Sequence, residues 1–138
     1  MSSKGEYYDW VWLEATLLDQ VGGNPSVQLS GSPIECVLRC YFFNYFGFPA
    51  TIHAKAFLPQ RKTGLIFERT GNSDAPIEVS DLQPADFEEL HEKLIARHPK
   101  PGTERIAVVV ESYEDRSTGA LGKPSAAKPI GLKLSIIP

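Results

Sequence analysis

The sequence predicts a mainly β fold, an antiparallel β-sandwich with one inserted α-helix over about residues 84–98. Three observations lead there. Apolar residues recur at every second position in several separate runs, the signature of half-buried strands. Turn sequences rich in Gly, Pro and Asn cut the chain between those runs. Strand and helix signals never alternate in βαβα order, which disfavours a doubly wound parallel sheet. The alternative is an α+β fold, an open antiparallel sheet with one covering helix.

Residues 1–6 read as a polar tail, and 7–138 as a single domain, a usual size for one. Tyr7 to Asp19 reads as a strand. Val11, Leu13, Ala15 and Leu17 take one face; Trp10, Trp12, Glu14 and Thr16 take the other. VGGNPS ends it, a short strand is expected at Val27 to Leu29, and Gly31-Ser32-Pro33 breaks the chain again. Ile34 to Phe46 is the strongest strand. Ile34, Cys36, Leu38, Cys40 and Phe42 form one face; Glu35, Val37, Arg39, Tyr41, Phe43 and Tyr45 form the other. The strand is expected to be central, and covered on both sides near Tyr41.

Gly47 and Pro49 make a bend, and Ala50 to Leu58 returns with Ile52, Ala54, Ala56 and Leu58 inward. PQRKTG is a polar turn. Leu65 to Thr70 and Ile77 to Ser80 read as shorter strands. Helix 84–98 rests on Pro84 at a first helical position and on charges that match a helix dipole: Asp86, Glu88 and Glu89 early, Lys93, Arg97 and His98 late. Phe87, Leu90 and Leu94 make its apolar stripe, and Pro99 to Gly102 stops it. Arg105 to Tyr113 and Ile130 to Ile137 are the last strands. Between them 114–129 forms a flexible polar loop, longer than common connections.

An apolar strand, a bend holding Asn44, Gly47 and Pro49, and a returning strand together are similar to immunoglobulin-like sandwich domains. The resemblance implies that architecture and no more. The Cys…Trp…Cys arrangement of antibody domains is missing.

Net charge is −3 at neutral pH, without the basic balance of a nucleic-acid binder. No stretch approaches the ~20 apolar residues that span a bilayer, and the start, MSSKGEYYDW, lacks a signal peptide's apolar run. A cytoplasmic protein without nucleic-acid or membrane partners is expected. Cys36 and Cys40 would lie about 13 Å apart on one strand face, beyond the ~7 Å that a disulfide allows. They read as small buried apolar groups.

Motifs for chemistry are sparse, and no catalytic, cofactor-binding or metal site is assigned. GALGKPS, residues 119–125, has two residues between its glycines where a phosphate loop needs four. His91-Glu92 opens a zinc-protease pattern, but Ile95 stands where the second His must be. No Gly-x-Ser-x-Gly elbow selects a nucleophile. His53, His91 and His98 read as surface residues, Glu88-Glu89 as helix-start charge, and Glu114-Asp115 as a solvated loop start.

The aromatic residues are the informative feature. CYFFNYFGFP, residues 40–49, holds six of the fourteen aromatic rings in the chain. Trp10 and Trp12 share one face, and Tyr41, Phe43 and Tyr45 share another. In one sheet the five would form a platform. Either the helix stripe of Phe87, Leu90 and Leu94 covers it, or it faces a protein partner, or it stacks on a ligand such as a sugar. The expectation is a non-enzymatic protein-binding or assembly module, a subunit of a homo- or hetero-oligomer. Its contacts would be Trp10, Trp12, Tyr41, Phe43 and Tyr45, with Phe48 at the bend and 114–129 at the rim. The alternatives are a ligand- or carbohydrate-binding sandwich and a small hydrolase or transferase whose site carries no recognisable motif.

Overall fold

A computed structural model describes residues 3–18, 26–28 and 33–138. The turn expected at 21–25 and the break at Gly31 and Ser32 lie outside them, as do Asp19 and Leu29. Eleven strands follow in order: β1 (Ser3–Tyr8), β2 (Val11–Leu17), β3 (Ser26–Gln28), β4 (Ile34–Asn44), β5 (Ala50–Phe57), β6 (Ile66–Phe67), β7 (Asp74–Leu82), β8 (Phe87–Ala96), β9 (Gly102–Asp115), β10 (Leu121–Gly122) and β11 (Ile130–Ile137). One sheet has the order β1-β2-β4-β8-β6, the other β3-β11-β9-β5-β7 with β10 hydrogen-bonded to β9. Among the described residues all strand pairs are antiparallel except β3 with β11.

The alternating apolar faces of the two sheets bury one another. From the first come Leu13, Leu17, Leu38, Phe42 and Leu94; from the second Ile52, Val79, Ile106, Val110 and Leu134. Each lies at an alternate strand position, as a sandwich core requires.

The inserted helix is not borne out: no helix occurs among the described residues, and Phe87–Ala96 is strand β8, paired with β4 at ten successive positions. The physical reason is a shared spacing. Leu90 and Leu94 are four apart, which suits one helix face and equally one strand face. Period two also places Glu92 and Ala96 inward, where they are buried, while Phe87 turns to the opposite face. Two of the charges that mimicked a dipole pattern, Lys93 and Glu89, have cross-strand partners. Lys93 Nζ lies 3.0 Å from Glu35, Arg39 Nε 2.8 Å from Glu89, and buried Glu92 2.6 Å from Arg69 Nη2. With no helix, the covering of the aromatic platform by a helix stripe fails too, and so does the α+β alternative.

Two smaller differences matter for the site. The expected strand Tyr7–Asp19 is a hairpin: β1 and β2 pair from Tyr8↔Val11 to Ser3↔Thr16, so most of the expected tail is strand. Its two-residue turn is Asp9-Trp10, with Asp9 at φ 53°, a left-handed conformation that Asp tolerates better than most residues. The 114–129 segment is also tied down. β10 pairs with β9, Ser125 bonds to Asp9, and the Lys128 carbonyl accepts from the Tyr8 hydroxyl.

Candidate functional site: an aromatic sheet face

Cross-strand register builds the site. Tyr7 stands opposite Trp12, Trp12 opposite Phe43, and Phe43 opposite Phe87. One rung across β1, β2, β4 and β8 is therefore wholly aromatic, and it lies on the face turned away from the core. Strands ~4.8 Å apart make such a rung about 14 Å wide.

The rings touch. Tyr7 and Trp12 centroids are 4.7 Å apart, Phe43 and Tyr45 4.4 Å, Tyr7 and Tyr45 6.0 Å. One step along the strands, Tyr41 stacks on Phe87 at 5.4 Å. Trp12 lies across Gly5 on the edge strand: a Cβ added there would come 2.1 Å from the Trp12 ring. Gly5 thus leaves the ring room to lie flat, and its indole N–H reaches Glu14 at 3.4 Å. Tyr7, Tyr45 and Phe87 remain 56%, 50% and 55% exposed.

Trp12, Tyr41, Phe43 and Tyr45 therefore share the face, half-buried or exposed rather than covered on both sides. Trp10 sits in the hairpin turn, not on a strand face with Trp12, and is 63% exposed. The Tyr45 backbone N–H donates to its carbonyl at 2.8 Å. Phe48 belongs elsewhere. It stacks on Phe46, which packs on Tyr113 of the second sheet at the end of the sandwich. Buried Asn44 fixes that bend, donating to the Phe48 and Leu82 carbonyls and accepting from the Phe46 N–H. Two site residues escaped the sequence reading. Tyr7 would have followed from placing a turn at Asp9-Trp10, and Phe87 from reading its segment with period two.

Where the rung meets the hairpin, Tyr7, Asp9, Trp10 and Tyr45 line a groove of about 390 Å³. Asp9 Oδ1 accepts from the Ser125 N–H and hydroxyl, each at 3.0 Å. Its Oδ2 accepts from the Tyr113 hydroxyl at 2.6 Å. The Ser125 backbone bond first, and then Tyr113, hold the Asp9 carboxyl below its ordinary range. Burial first, and then Asp9, push the Tyr113 hydroxyl up to about 12.

A second groove, about 630 Å³, opens where β7 and β8 border the sandwich edge, with His53, Arg69, Glu78, His91, Glu92 and Glu111 in its lining. Its ionisable groups are largely paired. Arg69 holds Glu92 and the Pro76 carbonyl, His91 meets Glu89 at 3.0 Å, and His53 lies 3.7 Å from Glu78. Among the described residues no three His, Cys, Asp or Glu side chains are placed to hold a metal ion.

No family model matches the chain, and no curated protein matches it in sequence. Solved structures match it in fold. A type I cohesin of Pseudobacteroides cellulosolvens superposes with a TM-score of 0.53 at 10% identity, over 82% of this chain and 87% of the cohesin. A chain from the complex of zinc 2-glycoprotein and prolactin inducible protein, from human seminal plasma, superposes with a TM-score of 0.52 at 11% identity, over 90% of this chain and 92% of that one. At such identities the likeness concerns the fold alone: two mostly antiparallel sheets packed as a cohesin-like, immunoglobulin-like β-sandwich.

Proposed function

We propose that this protein is a non-enzymatic protein-binding module whose contact surface is the aromatic face of the first sheet. One observation carries the reading: the Tyr7–Trp12–Phe43–Phe87 rung crosses four strands on the side away from the core, and its two ends are more than half exposed. Tyr, Trp and Phe are enriched in interface cores, and a few buried rings there dominate affinity. Rings already held by neighbours lose little freedom on binding, so more of their desolvation appears as affinity. One of the superposed structures is itself a complex of two proteins.

The rival reading, a hydrolase or transferase, would use the β7–β8 groove. Its lining carries Glu and His side chains but no Ser, Thr, Cys or Lys, so a nucleophile there would have to be a carboxylate or an imidazole. Arg69, Glu92, His91, His53 and Glu78 are engaged in the ion pairs described above, which favours a role in closing the sandwich edge.

The test combines solution mass with mutation. Light scattering separates self-association from capture of another protein. Truncating a true anchor such as Trp12 or Phe87 is expected to cost about 2 kcal/mol or more of binding and to lower the melting temperature by only a few degrees. A monomer whose association with any partner survives both truncations would defeat the proposal.

A further inference from the structure

We propose that the groove between Tyr7, Trp10 and Tyr45, with Asp9 in its lining, receives a cationic side chain, lysine or arginine, of the protein bound on the aromatic face. The assignment rests on the protein-binding reading and adds the chemistry that selects the partner.

Three observations converge. The lining is three aromatic residues and one acidic residue, Asp9. Ring faces of Trp and Tyr attract cations through their quadrupoles, and the carboxylate adds a full charge of the same sign. That charge also has only neutral partners among the described residues. Asp9 is held by the Ser125 N–H, the Ser125 hydroxyl and the Tyr113 hydroxyl, all neutral donors. Among the described residues no Lys, Arg or His forms an ion pair with it. The donors keep the carboxylate ionised and leave its attraction for a cation unused.

Scale and position choose the occupant. At about 390 Å³ the groove is near the lower end of ligand sites, suited to one side chain rather than a large ligand. It is continuous with the aromatic rung. Tyr7 lines the groove and also contacts Trp12 of the rung at 4.7 Å. A segment lying on the rung would therefore reach the groove with its next side chain. Rings that exclude water from the ammonium or guanidinium strengthen both attractions.

The experiment follows the two tryptophan indole N–H resonances by nuclear magnetic resonance in the whole protein. The probes are the N-acetyl methylamides of lysine, arginine and norleucine, with choline as a free quaternary ammonium. The lysine or arginine probe is expected to shift the Trp10 indole saturably, more weakly as salt rises, while uncharged norleucine does not. Asp9→Asn keeps the shape and the left-handed backbone. It should weaken the cationic probe by about 1.5- to 5-fold, the span of an exposed charge pair, and Tyr45→Leu by about 2- to 30-fold, the span of a cation–π contact. Melting temperatures of both variants guard against misfolding, and two independent variants keep the test decisive if one is unstable.

Norleucine binding equal to lysine, or cation affinity unchanged in folded Asp9→Asn, overturns the assignment. Choline binding about tenfold tighter than either amide would make the site one for a free ammonium metabolite instead, and also overturns it. If the cations leave Trp10 unshifted while Phe87→Ser still abolishes partner association, this assignment falls and the protein-binding reading stands.

Discussion

Phe43 of β4 and Phe87 of β8 stand directly opposite one another and complete a rung that already holds Tyr7 and Trp12. Phe87 is 55% exposed, although Leu94, only seven positions further along, is wholly buried on the other face. Cross-strand aromatic pairs contribute about 0.2–1 kcal/mol, so Phe87→Ser should cost the fold no more than about 1 kcal/mol. Leu94→Ala should cost about 2–5 kcal/mol. Urea denaturation of the two variants checks the difference; equal losses would contradict the strand register.

Gly5→Ala tests how the platform is kept flat. The added methyl overlaps the Trp12 ring, and a half-buried ring can swing outward rather than unfold the sheet. The near-ultraviolet circular dichroism of the tryptophans should change while the far-ultraviolet spectrum holds. An unaltered near-ultraviolet band would mean that Trp12 does not lie over β1.

Asn44 ties the bend that carries Tyr45 and Phe46. Replacing it by Leu leaves the Phe48 and Leu82 carbonyls and the Phe46 N–H without their partner. Buried groups left unsatisfied cost about 1–3 kcal/mol each. A loss of roughly 2–4 kcal/mol is expected, since the bend can rehydrate in part. Loss below ~1 kcal/mol by calorimetry would show that the bend stands without this amide.

Burial of Tyr113 and the Ser125 backbone bond to Asp9, each seconded by the Tyr113–Asp9 bond, make stability pH-dependent at both ends. The Tyr113 hydroxyl is raised from 10.0 to about 12 in the folded protein. Its proton is held more tightly when folded, so the contribution is complete below its unfolded value and is lost as pH rises through about 12. Tyr8 and Cys40, also pushed up to about 12 by burial, act with the same sign. Asp9 shifts downward from 3.8, so its contribution is present above that value and disappears as pH falls through the lower folded one. Tyr113→Phe should make the alkaline decline of the urea midpoint shallower, and Asp9→Asn the acid decline. Unchanged slopes in both variants would remove the linkage.

Cys36 and Cys40 are buried thiols on one strand face and are not disulfide-bonded. Burial raises the Cys40 thiol, and only the thiolate reacts readily. Neither should react with an aromatic disulfide reagent in the native protein, and both should react in strong denaturant. Rapid native labelling would place them at the surface.

The aliphatic half of the fold was legible because it is local. Alternation named the inward residues of β2, β4, β5 and β11, and turn residues placed the bend after Asn44. Alternation also put Trp12, Tyr41 and Phe43 on outward faces before any pairing was known. The site was legible only in part, because a rung joins residues far apart in sequence. Tyr7 entered through a hairpin at Asp9-Trp10, a dipeptide without a strong turn signal. Phe87 entered through β8.

That segment shows the division most plainly. Leu90 and Leu94 satisfy a helix stripe and a strand face alike, so the chain alone determined that they would turn to the core, where Leu94 is buried and Leu90 partly buried, not in which conformation. Tertiary structure decided it. β4 offers ten backbone partners, whereas an isolated helix of that length is marginal in water. The same pairing turned Phe87 from the expected cover of the aromatic face into part of it.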